Sequence, residues 1–289
     1  MRPFYLPRSQ IDRGSTRCGT LTLNWGERTY IMGIVNLTPD SFSQDGFSDA
    51  EKALAHAQRL VDEGADIIDV GGESTRPNAT PVDVATERQR VMPAVRLMVR
   101  ELPAPVSIDT YKAEIAREAL DAGVSMVNDV WGLTADAEMA KVVAHYGVPV
   151  VLMHNQRGTE YRNLVSDVIF WLKRSLLLAL DAGIKWENII VDPGIGFGKT
   201  RQQNLELLDR LDELTVLGRP ILLGTSRKFG YGHKASWQEE RRIEASAATA
   251  AIGIARGADI VRVHDVREMV SAIKVTDAVV RRKQRQERG

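Results

Sequence analysis

The chain has 289 residues, 44% of them hydrophobic and 26% charged, and its 38 basic side chains balance 38 acidic ones. That length suits one large α/β domain, and a net charge of zero supplies no global field to draw in nucleic acid or an anionic membrane. A single cysteine, Cys18, excludes an internal disulfide and any cysteine-built zinc site, and is in keeping with a reducing compartment.

Residues 1–17 are polar and broken by Pro3, Pro7 and Gly14; they read as an N-terminal arm, with a single domain over 18–289. The first residues have no apolar core of signal-peptide length, and no run reaches the roughly 18 apolar residues of a membrane span, so the expected location is cytoplasmic. The segments 20–23 and 29–35 flank the turn-rich Asn24-Trp25-Gly26-Glu27, which predicts a hairpin whose second strand continues inward and whose body plugs the bottom of the fold.

From there strand and helix alternate. Short apolar strands are expected over 30–35, 67–70, 106–108, 124–127, 148–153, 189–191, 221–223 and 260–263. Amphipathic helices are expected over 50–61, 84–99, 112–122, 135–145, 164–182, 204–214, 241–256 and 266–280, several of them stopped by a glycine. Strict alternation argues for a parallel sheet, and all-apolar strands argue that both of its faces are buried. The fold expected is a (β/α)8 TIM barrel with an N-terminal β-hairpin.

Catalysis in such barrels sits at the carboxyl ends of the strands. The stretch Ile189 to Lys199, IIVDPGIGFGK, ends a strand in Asp192 and turns sharply through Pro193 and three glycines. Asp109 and Asn128 follow other strands, and with Asp192 they offer acceptors to a heterocycle carrying ring N–H and amino groups. Lys228, Arg262, His264 and Asn36 come from the seventh, eighth and first strands, where phosphate-binding barrels hold their anion. Taken singly, Asp109 serves equally well as a helix N-cap, Arg262 as a partner of Asp265 or Glu268, and Lys228 as a solvated loop residue. Together they point to a binding site. The segments 36–47 and 71–81 are long for barrel connections and rich in Gly, Ser, Thr and Pro, as loops that close over substrates are. No HxH or HExxH pattern occurs, so a transition-metal site is not expected.

With these residues assembled, the chain closely resembles the dihydropteroate synthase family. The matching segments are NLTPDSFS at 36–43, GGESTRP at 71–77, SIDT at 107–110, ND at 128–129, LMH at 152–154, DPGIGFGK at 192–199, SRK at 226–228 and RVHDV at 262–266, in family order over almost the whole barrel. The resemblance implies condensation of 6-hydroxymethyl-7,8-dihydropterin diphosphate with p-aminobenzoate to give 7,8-dihydropteroate and diphosphate. It implies that Asp109, Asn128, Asp192 and Lys228 hydrogen-bond the pterin, with Arg262 stacked on it and Met153 and Phe197 lining its pocket. Asn36, Arg262 and His264 would hold the diphosphate, with magnesium (Mg2+) at Asn36. Phe42, Thr75, Arg76, Pro77 and Ser226 would complete the p-aminobenzoate site. Asp109, Lys228, Arg262 and Asn36 would carry the catalysis. The family is typically dimeric through its late helices, which implies a homodimer here.

Two segments depart from the family pattern. Phe229-Gly230-Tyr231-Gly232-His233 follows SRK, where a small or basic residue, an apolar residue and Gly are usual, and SQDGF stands where SDGG is common. Both lie at the lip of the second-substrate site, where affinity for p-aminobenzoate and sulfonamides is set. The competing readings are a methyltetrahydrofolate-dependent methyltransferase of the same barrel superfamily, which has no need of a diphosphate clamp, and a catalytically silent pterin-binding barrel.

Overall fold

In the computed structural model, which describes residues 13–37, 49–73, 81–229 and 239–281, the alternation of short strands and helices closes into a ring. A hairpin comes first, β1 (Ser15–Cys18) antiparallel to β2 (Leu21–Asn24). Then follow β3 (Tyr30–Asn36), α1 (Asp49–Asp62), β4 (Ile67–Gly71), α2 (Val84–Glu101), β5 (Val106–Asp109), α3 (Ala113–Asp121), β6 (Met126–Asp129) and α4 (Met139–Tyr146). The second half comprises β7 (Val150–Met153), α5 (Leu164–Asp181), β8 (Ile189–Asp192), α6 (Arg201–Asp209), β9 (Leu222–Leu223), α7 (Glu239–Ala255), β10 (Ile260–Val263) and α8 (Val266–Val280).

The eight parallel strands run in the order β8-β7-β6-β5-β4-β3-β10-β9, and one parallel bridge between Val191 and Ile221 joins the two ends. This is the expected barrel. At that closing joint Pro220 has no N–H to give; its carbonyl accepts from Val191 N–H at 2.9 Å, and the buried Arg219 Nε donates to the Ile189 carbonyl at 3.0 Å.

The N-terminal hairpin is built differently from its sequence expectation. Residues 20–23 do not pair with 29–35; β2 folds back on β1 through Gly19 and Thr20, and β3 lies in the barrel between β4 and β10. Gly19 adopts a φ of +57°, which permits the tight turn. Six consecutive buried residues in β3 suit a strand covered on both faces. Helix boundaries move for local reasons. Thr200 and Gln203 form a reciprocal capping box that starts α6 before residue 204, and a 3-10 turn over Leu211–Leu217 replaces its end. Asp136 accepts from the N–H groups of Ala113 and Glu138, so α4 begins after residue 135.

The interior divides by the two-residue period of the strands. Met32, Ile67, Met126, Val151, Ile190, Leu222 and Ile260 gather in one buried cluster with Cys18, Leu23 and Trp25 of the hairpin region. Their sequence neighbours, such as Ile68, Val127, Val191 and Val261, pack outward against the helices. The hairpin therefore closes the bottom of the barrel with apolar side chains, each worth about 1.5–3 kcal/mol when fully buried. Two residues further along the same strands stand Asp69, Asn128, Met153, Asp192 and Arg262, on the same inward face.

Candidate active site

The upper inward layer is charged. Arg262 crosses it, donating through Nε to Asp69 Oδ2 and through Nη2 to Asp109 Oδ2, each at 2.6 Å. Asn128 Nδ2 donates to the same Asp69 oxygen at 3.0 Å. Asp69 Oδ1 and Asp109 Oδ1 are buried without a hydrogen-bond partner. Burial pushes the Asp109 carboxyl upward, with the Arg262 charge opposing and Asp69 reinforcing the rise. Burial works against the charge on Arg262 as well, but Asp69 and Asp109 outweigh it and raise its pKa.

Neither simple alternative for these residues holds. Asp109 does not cap α3, whose first N–H is taken by Asp136. Asp265 pairs with Arg227, at 2.5 Å from Nη2 and 3.0 Å from Nε, rather than with Arg262.

Asp192 ends β8 and shapes the loop that follows by accepting from Gly194 N–H at 2.7 Å. Gly194 has a φ of +70°, and a Cβ there would lie 1.9 Å from the His154 carbonyl oxygen, so no other residue fits. Lys199 ties the loop from behind. Its Nζ reaches His154 Nδ1 at 2.9 Å and the carbonyls of Gly194 and Phe197 at 3.0 Å each. Burial lowers Lys199 to about 7, and burial with the Lys199 charge lowers His154 to about 3, leaving that ring neutral and able to accept. The loop presents Phe197, whose ring centroid lies 4.5 Å from Lys228 Nζ, and Lys228 also donates to the Ile195 carbonyl at 2.7 Å. Burial pulls the Lys228 ammonium down to about 8, against the attraction of Asp192. Its residue is nonetheless exposed toward solvent, so screening tempers that shift.

A third group links Asn36, His264 and Ser226. Ser226 Oγ lies 3.0 Å from His264 Nδ1 and accepts from the His264 backbone N–H at 3.2 Å; Asn36 Nδ2 is 3.5 Å from His264 Nε2. Burial, then the charges of Arg227 and Arg262, push the imidazole down to about 3, so it is neutral. The neutral ring carries one N–H: on Nδ1 it meets Ser226 Oγ, and on Nε2 it faces the Asn36 side, where an anion can take it, while Nδ1 accepts from the Ser226 hydroxyl. Arg227 holds a left-handed φ of +59°, and its backbone N–H donates to Ser246 Oγ at 3.0 Å.

Asn36, Asp109, Asn128, Met153, Asp192, Phe197, Ser226, Lys228, Arg262 and His264 thus all lie at the carboxyl ends of barrel strands or in the loops just beyond. Phe42, Thr75, Arg76 and Pro77 lie outside the described residues, as do positions 230–233. Asp69 and Lys199 were not singled out from sequence, and both are central. Asp129, which follows Asn128, serves the chain instead, accepting from the N–H groups of Trp131 and Leu133 at 2.8 Å. Glu73 is engaged by Tyr111 and Lys112. Among the described residues no three His, Cys, Asp or Glu side chains come together as a metal cluster. Magnesium bound mainly through substrate phosphates and water needs only one or two protein oxygens, and the Asn36 amide oxygen is of the right kind.

The family described as pterin binding enzyme matches residues 32–264. The chain is 53% identical over 268 residues to a dihydropteroate synthase of Clostridium beijerinckii, covering 92% of this chain and 100% of that one. It is 47% identical to the Bacillus subtilis dihydropteroate synthase, over 89% of this chain and 91% of the relative. Among solved structures, a Clostridium difficile dihydropteroate synthase in the presence of pteroic acid superposes with a TM-score of 0.86 at 51% identity, covering 89% of this chain and 99% of that one.

Proposed function

The chain belongs to the pterin-binding enzyme family, and from that premise we propose how its own residues divide the work of the reaction. The reaction is that of dihydropteroate synthases: 6-hydroxymethyl-7,8-dihydropterin diphosphate and p-aminobenzoate give 7,8-dihydropteroate and diphosphate in folate biosynthesis. The observation that carries the residue assignment is the buried upper layer, in which acceptors outnumber the donors that reach them.

Asp192, Asn128 and Asp109 accept from the pterin ring N–H and amino groups, and Lys228 donates to its carbonyl or ring nitrogens. Phe197 and Met153 line the pocket, and Arg262 lies along the ring. Arg262, His264 and Asn36 meet the diphosphate. Asn36 would hold magnesium through its amide oxygen, and the ion when bound would supply charge neutralisation to the leaving group. Diphosphate leaves with the bonding electrons, and Asp109 stabilises the positive charge left on the pterin methylene. The neutral amine of p-aminobenzoate captures that carbon, and its surplus proton passes to the released diphosphate or to water. No protein nucleophile is required, and no residue is assigned as general base. Ser226 receives the benzoate carboxylate, together with Phe42, Thr75, Arg76 and Pro77.

Calorimetry on Asp192→Asn tests the pocket. Replacing a buried acceptor by a misplaced donor costs on the order of 2–4 kcal/mol of pterin affinity; unchanged binding would put the pterin elsewhere. The catalytic unit is proposed to be a homodimer. Ile252 of α7 and Val275 and Val279 of α8 are 47%, 65% and 68% exposed, an apolar face that a second copy would cover. Light scattering at micromolar concentration checks this, and a monomer mass would count against it. No described helix is long and apolar enough to cross a membrane, and the lone described cysteine, Cys18, is buried with its thiol pushed up to about 12 by that burial. A cytoplasmic location is proposed on the reducing environment that one unpaired thiol suits.

A further inference from the structure

Asp69 is fully buried in the middle of β4, and its Oδ2 alone receives both Asn128 Nδ2 and Arg262 Nε. A carboxylate paired with a guanidinium only accepts hydrogen bonds. The Asn128 amide is therefore forced to turn its NH2 group toward Asp69 and its oxygen away. The same contact fixes the plane of Arg262, so that Nη2 reaches Asp109 on the neighbouring strand β5.

We propose that Asp69 is a positioning residue that sets ring-edge specificity: by locking Asn128 as an acceptor beside Asp192, it makes the pocket demand a heterocycle edge composed of donors. The proposal rests on the reading of Asn128 and Asp192 as pterin ligands. A 2-amino-4-oxo pteridine offers an amino group and a ring N–H side by side. Its 2,4-dioxo counterpart puts a carbonyl where the amino group was, so acceptor meets acceptor. Without Asp69 the amide can turn over and present NH2 to that carbonyl, and discrimination relaxes. Asp69 acts through Asn128 and Arg262, which both donate to its Oδ2.

The test compares dissociation constants of a 2-amino-4-oxo pterin and its 2,4-dioxo counterpart, by calorimetry, for the parent protein, Asp69→Ala and Asp69→Asn. The parent is expected to prefer the pterin by roughly a hundredfold or more, as sites built around buried hydrogen bonds do. Asp69→Ala should cut that preference to about tenfold or less, because the amide has lost the carboxylate that orients it. Asp69→Asn, whose single oxygen can still accept from both donors, should keep the preference within about threefold of the parent. A purely structural role for Asp69 would weaken both ligands alike and leave the ratio standing. An unchanged ratio in Asp69→Ala overturns the inference, and so does an Asp69→Asn ratio as low as that of the alanine variant.

A parent that shows no preference would instead overturn the pterin assignment of Asn128 and Asp192 themselves. Should Asp69→Ala fail to fold, the Asn128 side-chain amide of the parent, followed by 15N NMR, decides. Two distinct proton signals that exchange with solvent far more slowly than those of an exposed amide support the lock; signals that merge or exchange at the solvent rate overturn it.

Discussion

Two layers of side chains fill the barrel, about 6.6 Å apart along the strands, and they obey opposite rules. The lower one, with Met32, Ile67, Met126 and Ile190, is apolar and sealed by the hairpin. The upper one, with Asp69, Asn128, Asp192 and Arg262, sits on the same strands two residues later and contains a buried carboxylate oxygen, Asp69 Oδ1, with no partner. The difference shows how one backbone separates cohesion from chemistry. The lower layer stabilises without regard to what binds above, whereas the upper layer keeps an unmet acceptor at a cost in stability.

The sharpest way to break this contrast is Arg262→Ala. Removing the one cation that touches both Asp69 and Asp109 leaves two buried carboxylates uncompensated, with an expected loss of about 4 kcal/mol in chemical denaturation. The protection that diphosphate gives against thermal unfolding should vanish with it. Equal protection in variant and parent would place the anion elsewhere.

Met126→Ala probes the other layer. A fully buried side chain lost from the plug should cost about 3 kcal/mol of stability, while pterin affinity stays within about threefold of the parent. A large loss of affinity at preserved stability would show that the layers are coupled.

The smallest effect concerns Lys199 behind the upper layer. Its folded pKa, about 7, lies below the usual lysine value, so between pH 7 and 10.5 the unfolded chain binds more protons than the folded one. Stability should therefore rise with pH across that window, by about 1–2 kcal/mol from pH 7 to 9, and the rise should be missing in Lys199→Met. Denaturant midpoints at the two pH values, compared for parent and variant, measure it.

Much of this contrast was legible in the sequence, and the exceptions have physical reasons. Asp109, Asn128 and Asp192 stand at strand ends, where polar residues announce themselves. Asp69 stands inside IIDVG, where apolar neighbours on both sides give the strand an apolar pattern. The period of two would have exposed it: Met126 is followed two residues later by Asn128, Ile190 by Asp192, Ile260 by Arg262, and Ile67 by Asp69. Lys199 was hidden for another reason, since its role depends on His154 and on carbonyls of its own loop that only the fold brings together. The hairpin turns at Gly19, whose left-handed backbone permits a two-residue connection, and not at the longer spacer around Gly26. What sequence could name but the described residues do not contain is the pair of loops carrying Phe42 and Thr75 to Pro77.

The joint between β8 and β9 has a consequence for motion. Every other neighbouring pair of barrel strands shares a run of paired residues, whereas this one relies on a single bridge, the Val191 N–H on the Pro220 carbonyl and an arginine side chain substituting for an absent amide. A ring opens where its ladder is shortest, so amide protons of Val191 and Leu222 should exchange with deuterium before those of Val127 or Ile68. The strand that delivers Asp192 would then be the one whose position fluctuates most, and a ligand gripping both Asp192 and Lys228 would span the opening and slow exchange on both sides at once.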